Sequence, residues 1–484
     1  MDLLHQICTL TLSFFQCKKI LKKLLFTFGI YFLGMFSLFK AYAIYQNDIL
    51  YIAHPDVFSL SDTGFSLLGL WQRLFSFSAL PQDISPLPQL LGLVCLTLTS
   101  FITVKVVMGR ISYFSLCLST LIGLTPYFLP VLSSKFLMFP ACFAMLCAVV
   151  PFVFGGELLL FLGAVFLSTI ISFTSFPAAG ALFLLLYVYC QFKDFLKEGD
   201  APDLFKHIGL TLGAFLGGLF FALSINAFLL KALPVLGNIT LLKEAVSLVY
   251  THWAFTPLGI FWGLTLVCFG TKILLLSLNA QNDYPPFYNG LGAIGILILL
   301  GIIPFFPLIF QPSELSALTS FGMATTLMVL TLNQGGDKTR TIPDLIAFGL
   351  FWGCFIFTVH YGNLLIAQKH YDIFRLESAL TDLAKYPDTN IRFRGPKIYN
   401  PVIVEKAKEY PILTDLIYMD PNSGFLESYV MAFMIPYIRP CTQTHHLNAE
   451  VLLETPGYTL TRLNPKCMEI TLHPSPARDP HKRY

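Results

Sequence analysis

The stretch KKILKKLLFTFGIYFLGMFSLFKAYAIY, residues 18–45, decides the fold. Lys18, Lys19, Lys22 and Lys23 precede an apolar run from Leu24 to Tyr45. About 20 apolar residues, rising about 1.5 Å each, cross about 30 Å of hydrocarbon. No small-residue cleavage site follows the run, so it reads as a retained start-transfer helix rather than a signal peptide. Runs of the same kind recur as far as Ala367, near 24–45, 86–107, 111–130, 137–154, 157–172, 177–191, 208–230, 255–278, 289–310, 315–332 and 344–366. Backbone in lipid must satisfy its own hydrogen bonds, and an uncovered open sheet cannot. The expectation is an all-α polytopic membrane bundle of about eleven transmembrane helices. Only 12% of the chain is charged and 55% is hydrophobic, against roughly 25% charged in soluble domains.

Cations set the orientation. With the amino terminus in the cytoplasm, the inner face holds Lys18, Lys19, Lys22, Lys23, Lys105, Arg110, Lys193, Lys197, Lys206, Lys272, Lys338 and Arg340. The outer face receives only Lys40, Arg73, Lys135, Lys231 and Lys243. An odd number of spans then puts residues 368–484 outside, on the same side as the polar loop 45–88.

That division gives two regions. Residues 1–367 form the membrane domain, with loop 45–88 on its outer face. Residues 368–484 form a small α/β domain. Gln368–Lys385 has helical spacing, Ile391–Gly395 alternates like a strand, Pro401–Tyr410 opens like a helix, and Val451–Leu453 with Tyr458–Leu463 flank a Thr455-Pro456-Gly457 turn. Met468–Leu472 reads as a third strand. Most cysteines lie in apolar runs as small packing residues, but Cys441 and Cys467 lie in this polar region. In an oxidising compartment they form a disulfide; in a reducing one they are two core thiols.

Composition removes several functions. A net charge of +3, with no basic block carrying interleaved aromatics, gives no reason to expect nucleic acid. Glu157, Glu244, Asp283, Glu314, Asp337 and Asp344 fall in loops or at helix ends, whereas ion-coupled transporters place ionisable groups at depth. No metal-ligand spacing and no phosphate-cradling glycine loop occurs, so neither a metal nor a nucleotide-sugar donor is expected.

Chemistry is expected in loop 45–88. It carries Asp48, Asp56, Asp62, Asp83 and His54, with Arg73 its one cation. Moving a sugar off a lipid phosphate needs one carboxylate to take the acceptor's proton while the bond to phosphate breaks. Cations or polar donors then stabilise the departing phosphate. By topology Lys135, His54 and Arg73 can meet that phosphate. Each of these residues also has a plainer reading, as a solvated turn residue or a headgroup contact. Within the loop, Phe65, Leu67, Leu68, Leu70, Trp71, Leu74, Phe75 and Phe77 suggest a helix lying in the interface or packing on neighbouring spans. Thr125-Pro126-Tyr127-Phe128-Leu129-Pro130 ends the third span, where Tyr127 is either a wall of the site or an interfacial aromatic. His360-Tyr361-Gly362-Asn363 ends the last span on the same face, so Tyr361 and Asn363 either line a sugar site or cap a helix at the headgroups.

These residues resemble a family. Asp83-Ile84-Ser85-Pro86-Leu87-Pro88-Gln89-Leu90-Leu91 resembles the "d-i-a-P-L-p-q-i-l" entry to the second span of bacterial O-antigen glucosyltransferases of the serotype-converting type II group. LTPYFLPVLSSKF, residues 124–136, resembles that group's "l-T-P-y-f-l-e-n-l-s-y-k-f-D" run, except that Leu137 stands where its Asp follows, and Tyr361-Gly362-Asn363 with Gln368 resembles the end of its last span. The group is similar to the wider C-type (GT-C) membrane glycosyltransferases. The resemblance implies a GT-C-like bundle in the bacterial inner membrane with a periplasmic C-terminal part. It implies a polyprenyl-phosphate glucose donor and a lipid-linked polysaccharide acceptor such as O-antigen, with flippase and donor-synthase partners and no cofactor. The family's first outer loop opens with an Asp-Asp pair and an Arg. Here Asn47-Asp48 stands there, followed by Ile49-Leu50-Tyr51 with no Arg, so Asp48 is the acid that carries over and Asp56 and Asp62 are its substitutes. Two other classes stay open: a lipid-linked sugar flippase, and an inactive relative that binds glycan.

Overall fold

The computed structural model describes residues 18–41, 67, 70, 71, 74, 75, 83–198, 201–230, 256–280, 284–309, 314–333, 341–386, 389–418, 420–422, 425–434, 439–441 and 449–474. Its helices in the membrane part are α1 (Lys18–Ala41), α2 (Leu87–Met108), α3 (Tyr113–Leu124), α4 (Pro126–Ser133), α5 (Met138–Val149), α6 (Leu158–Ser175), α7 (Ala178–Glu198), α8 (Ala201–Leu230), α9 (Pro257–Leu278), α10 (Pro286–Ile302), α11 (Glu314–Leu332) and α12 (Thr341–Leu383). Among the described residues eight helices are long and apolar enough to cross a membrane, or nine if the bent pair α3–α4 is one span. The expected eleven is not reached on these criteria. Two of the apolar stretches read from the sequence fold as shorter helices, Met138–Phe154 and Thr319–Leu332. The 12 residues of α5 cover only about 18 Å.

The break between α3 and α4 bends the chain by 45°. Pro126 has no N–H to give and Pro130 follows one turn later, so carbonyls near the break lose their helical donors. Side chains of other helices replace them. Thr358 Oγ1 of α12 donates to the Leu124 carbonyl at 3.1 Å, and Thr319 Oγ1 of α11 donates to the Tyr127 carbonyl at 3.5 Å.

Helices α1 and α12 lie side by side and parallel. Gly34 faces Phe355, Ser37 and Leu38 face Gly362, and Lys369 Nζ donates to the Ala41 carbonyl at 3.3 Å. Both sequences rise together, so the chain leaves α1 toward loop 42–82 at the same end of the bundle where α12 leaves for the C-terminal region. At the opposite end, lysines sit on carbonyls near helix termini. Lys23 donates to Ile111, Lys193 to Val107, and Lys272 to Thr331 and Leu332. Cations are favoured there because the C-terminal end of a helix carries partial negative charge.

Helix α12 has 43 residues, about 65 Å, twice the hydrocarbon thickness. Its far end is the support of the C-terminal domain. The boundary read at 367/368 therefore lies inside one continuous helix. Beyond it come β1 (Asn390–Arg394), α13 (Pro401–Ala407), α14 (Leu413–Leu416), α15 (Phe425–Phe433), β2 (Glu450–Glu454), β3 (Tyr458–Asn464) and β4 (Cys467–Leu472). The sheet order is β1-β4-β3-β2, with β1 and β4 parallel and the other pairs antiparallel. Alternate residues Ile391, Phe393, Leu460, Met468, Ile470 and Leu472 bury one face against Leu376, Ala379, Leu380 and Leu383 of α12. Arg375 fastens the helix to the sheet, donating to the Gly457 carbonyl at 2.6 Å and the His473 carbonyl at 2.8 Å. Cys441 and Cys467 are joined in a disulfide, with Cα atoms 5.8 Å apart. The segment 399–417 packs on the helical bundle instead: Tyr399, Ile403, Val404, Leu413 and Ile417 join its hydrophobic cluster, and Tyr410 meets Phe357 of α12 at 5.3 Å.

A Cβ at Gly362 would collide with Ser37 Oγ and stand 2.7 Å from the Leu38 nitrogen. Gly362→Ala is therefore expected to lose about 1–3 kcal/mol of stability by forcing α1 and α12 apart. Gly29→Ala, at a position with open space, is expected to change it by less than about 0.5 kcal/mol. Thermal unfolding of the two variants in detergent checks the difference.

Candidate functional site

The end of the bundle where α1 and α12 emerge holds the candidate site. It is built at the entry to α2. Ser85–Pro86 is a cis peptide bond, and α2 begins at Leu87. Just before it, the Ser85 N–H donates to Asp83 Oδ1 at 3.0 Å, the local turn that Asp side chains favour. The turn between α4 and α5 supplies Lys135, where Ser134 Oγ accepts from the Leu137 N–H at 3.2 Å. Lys135 Nζ meets Asp83 Oδ2 at 2.5 Å. The Lys135 side chain is only 4% exposed and Asp83 23%. An ammonium buried this deeply needs a carboxylate beside it, because removing one partner leaves a desolvated charge. Burial works to raise the Asp83 pKa, but the Lys135 ammonium and the Ser85 hydroxyl and N–H outweigh it and hold the carboxyl below its usual range. Lys369, one turn beyond Leu365 on α12, stands within electrostatic reach of Lys135 and adds a second ammonium to this end.

Two shallow clefts flank Lys135. The first is apolar and aromatic, with Trp71, Phe75, Pro88, Phe136 and Phe139 around Asp83 and Lys135. The second is more polar, with Ser85, Gln89, Ser133 and Lys135 between walls of Leu38, Phe39 and Leu365. Its open space is about 440 Å³, mouth included. Ser85 and Lys135 belong to both clefts, so the cation lies at their junction.

The expected residues divide as follows. Lys135 is at the centre. Tyr361 is fully buried beneath the second cleft, its hydroxyl 2.9 Å from Ser133 Oγ, which itself donates to the Leu129 carbonyl. It braces the wall without forming it. Asn363 is exposed on the opposite side of α12 from Tyr361, because two residues turn a helix by about 200°. Tyr127 is 3% exposed and packs beneath α11, lining neither cleft. Asp48, Asp56, Asp62, His54 and Arg73 lie outside the described residues. Of the proposed loop helix, Leu67, Leu70, Trp71, Leu74 and Phe75 are described and helical. Trp71 and Phe75 meet Phe139 of α5 edge-on at 5.3 and 4.9 Å, so these residues pack on a neighbouring helix.

The sequence reading did not select Asp83 as a site residue, although it opens the stretch that resembles the entry to the second span. Its role needs a partner 52 residues away, which no local pattern shows. Gln89 was not selected either, because Ser133 and Lys135, which share its cleft, come from a distant stretch of chain. Among the described residues, no group of three His, Cys, Asp or Glu side chains is placed to hold a metal ion. Compared with known protein families, with characterised proteins and with solved structures, the chain matches none.

Asp83→Ala is expected to destabilise the protein by on the order of 3 kcal/mol, because Lys135 is left buried without its carboxylate. Asp83→Ala combined with Lys135→Met is expected to lose less than the single change, and a double-mutant cycle of unfolding measures the difference. Since the folded pKa of Asp83 is depressed, its contribution is full above about pH 4. It fades as pH falls through the folded pKa, so an acid titration should narrow the gap between wild type and Asp83→Ala.

Proposed function

We propose that this chain is a membrane glycosyltransferase that moves a sugar from a polyprenyl-phosphate donor to a lipid-linked polysaccharide. The observation that carries the reading is the order of the groups at one end of the bundle: an aromatic cleft edged by Asp83, the buried Lys135 ammonium, then a cleft whose apolar walls carry the polar side chains of Ser85, Gln89 and Ser133. A polyprenyl-phosphate sugar has the same order, with an apolar tail, an anion and a ring of hydroxyls. The resemblance of residues 83–91 and 124–136 to O-antigen glucosyltransferases supports the same reading, with glucose as the proposed sugar and a GT-C-like bundle as the proposed fold.

In this mechanism a loop carboxylate, Asp48 first and Asp56 or Asp62 in its place, takes the proton of the acceptor hydroxyl. The hydroxyl oxygen bonds to the anomeric carbon as that carbon's bond to phosphate breaks. The electron pair leaves with the phosphate, whose charge Lys135 stabilises. The cation bias favours a periplasmic active face, and the Cys441–Cys467 disulfide agrees with an oxidising compartment. A flippase would use a cavity near the bilayer midplane. The two clefts instead lie where α1 and α12 leave the bundle, which favours the enzyme over the carrier.

Transfer of labelled glucose from polyprenyl phosphate to purified acceptor tests the proposal. Wild type is expected to transfer, Asp48→Asn to lose transfer, and Lys135→Gln to lose it by about 10²-fold. No transfer by wild type would sink the enzyme reading, and full activity in Asp48→Asn would remove that residue as the base. A topology reporter at residue 420 is expected to read periplasmic; a cytoplasmic reading would overturn the placement of the whole active face.

A further inference from the structure

We infer that Gln89 reads a hydroxyl of the transferred sugar in the second cleft, which makes that cleft the sugar subsite. The inference rests on the lipid-phosphate reading above and adds a residue that senses the sugar rather than its carrier. Gln89 is the third residue of α2 and is only 8% exposed. Its Nε2 donates to Ser85 Oγ at 3.0 Å, which fixes the amide in one plane. Its Oε1 is buried and has no hydrogen-bond partner among the described residues. A buried amide oxygen without a donor is unfavourable, and folds leave few such groups. Gln89 lines the cleft beside Ser133 and Lys135, and a ligand hydroxyl supplies the missing donor once the amide rotates to bring its covered Oε1 to the cleft. If the amide is turned over, its N–H is the group that waits, and a hydroxyl satisfies that equally, since it both donates and accepts.

The apolar walls fit the same occupant. Leu38, Phe39 and Leu365 face the polar groups across the cleft. A sugar ring has C–H faces for such walls and hydroxyls around its rim. Lys135, shared with the aromatic cleft, would hold the phosphate at the anomeric end. A sugar-free polyprenyl phosphate would use the aromatic cleft and Lys135 alone, leaving Gln89 untouched. Gln89 thus separates two ligands that differ only by the sugar.

The test is equilibrium binding of two lipids to the full chain in nanodiscs: polyprenyl phosphate, and polyprenyl phosphate glucose. Wild type is expected to bind the glucose-bearing lipid more tightly. Gln89→Met, close in volume but without the amide, is expected to weaken the glucose-bearing lipid by about three- to tenfold, the effect of one neutral hydrogen bond. Its binding of the sugar-free lipid is expected to stay at the wild-type level, which also shows that the variant is folded. Unchanged binding of both lipids, or an equal loss of both in a folded variant, overturns the inference while leaving the lipid-phosphate reading in place. Failure of wild type to bind either lipid would instead bring down that reading. Should Gln89→Met not fold, Gln89→Leu, which also lacks the amide, decides in the same way. A selective loss of about threefold for the glucose-bearing lipid supports the subsite, and wild-type binding of both lipids overturns it.

Discussion

Backbone in hydrocarbon has no water to turn to, and the architecture is organised around that constraint. Where helices are unbroken, their own ladders meet it. Where Thr125-Pro126 breaks the chain, the Leu124 and Tyr127 carbonyls are met by hydroxyls of Thr358 and Thr319. Those hydroxyls come from α12 and α11, so the break ties three parts of the chain together. At the other end of the bundle lysines meet terminal carbonyls in the same way. The lysines that give the sequence its cation bias are thus also structural caps.

The same constraint shapes the end that carries the two clefts. A broken helix can stop, turn and present Lys135 near the bundle surface, whereas an unbroken span would carry the chain straight past. Once Lys135 is buried, it needs an anion, and Asp83 at the entry to α2 provides it. This ion pair fixes the α4–α5 turn against the start of α2, and the two clefts form on either side. Glycines at 34 and 362 let α1 and α12 close in behind. The stiff extension of α12 then carries the C-terminal sheet, so the domain is joined to the site through one rod rather than a linker.

Much of this was legible in the chain. Hydropathy is a sum over about 20 residues, so the apolar stretches survive errors at any one position. Period-two burial at Ile391, Phe393, Leu460, Met468, Ile470 and Leu472 made the small sheet readable as well. The site was less legible. Tyr361 and Asn363 looked equivalent in sequence, but the phase of α12 sends one under the cleft and the other outward. Tyr127 looked like a wall because its helix breaks there, yet α11 covers it.

The sequence alone determined that the chain is a bundle of apolar helices with a polar α/β end, because those properties belong to local runs of residues. It also drew attention to the segment ending at Pro88, since a proline-rich entry to a span is a local signal. Only the tertiary structure decided that Asp83 meets Lys135, that Gln89 lies beside Ser133 and Lys135, and that Tyr361 and Asn363 part to opposite sides of α12. Each depends on which helices are neighbours and how each is rotated. That choice is made by close approach at single glycines and by the satisfaction of buried polar groups, neither of which is written in any one stretch of chain.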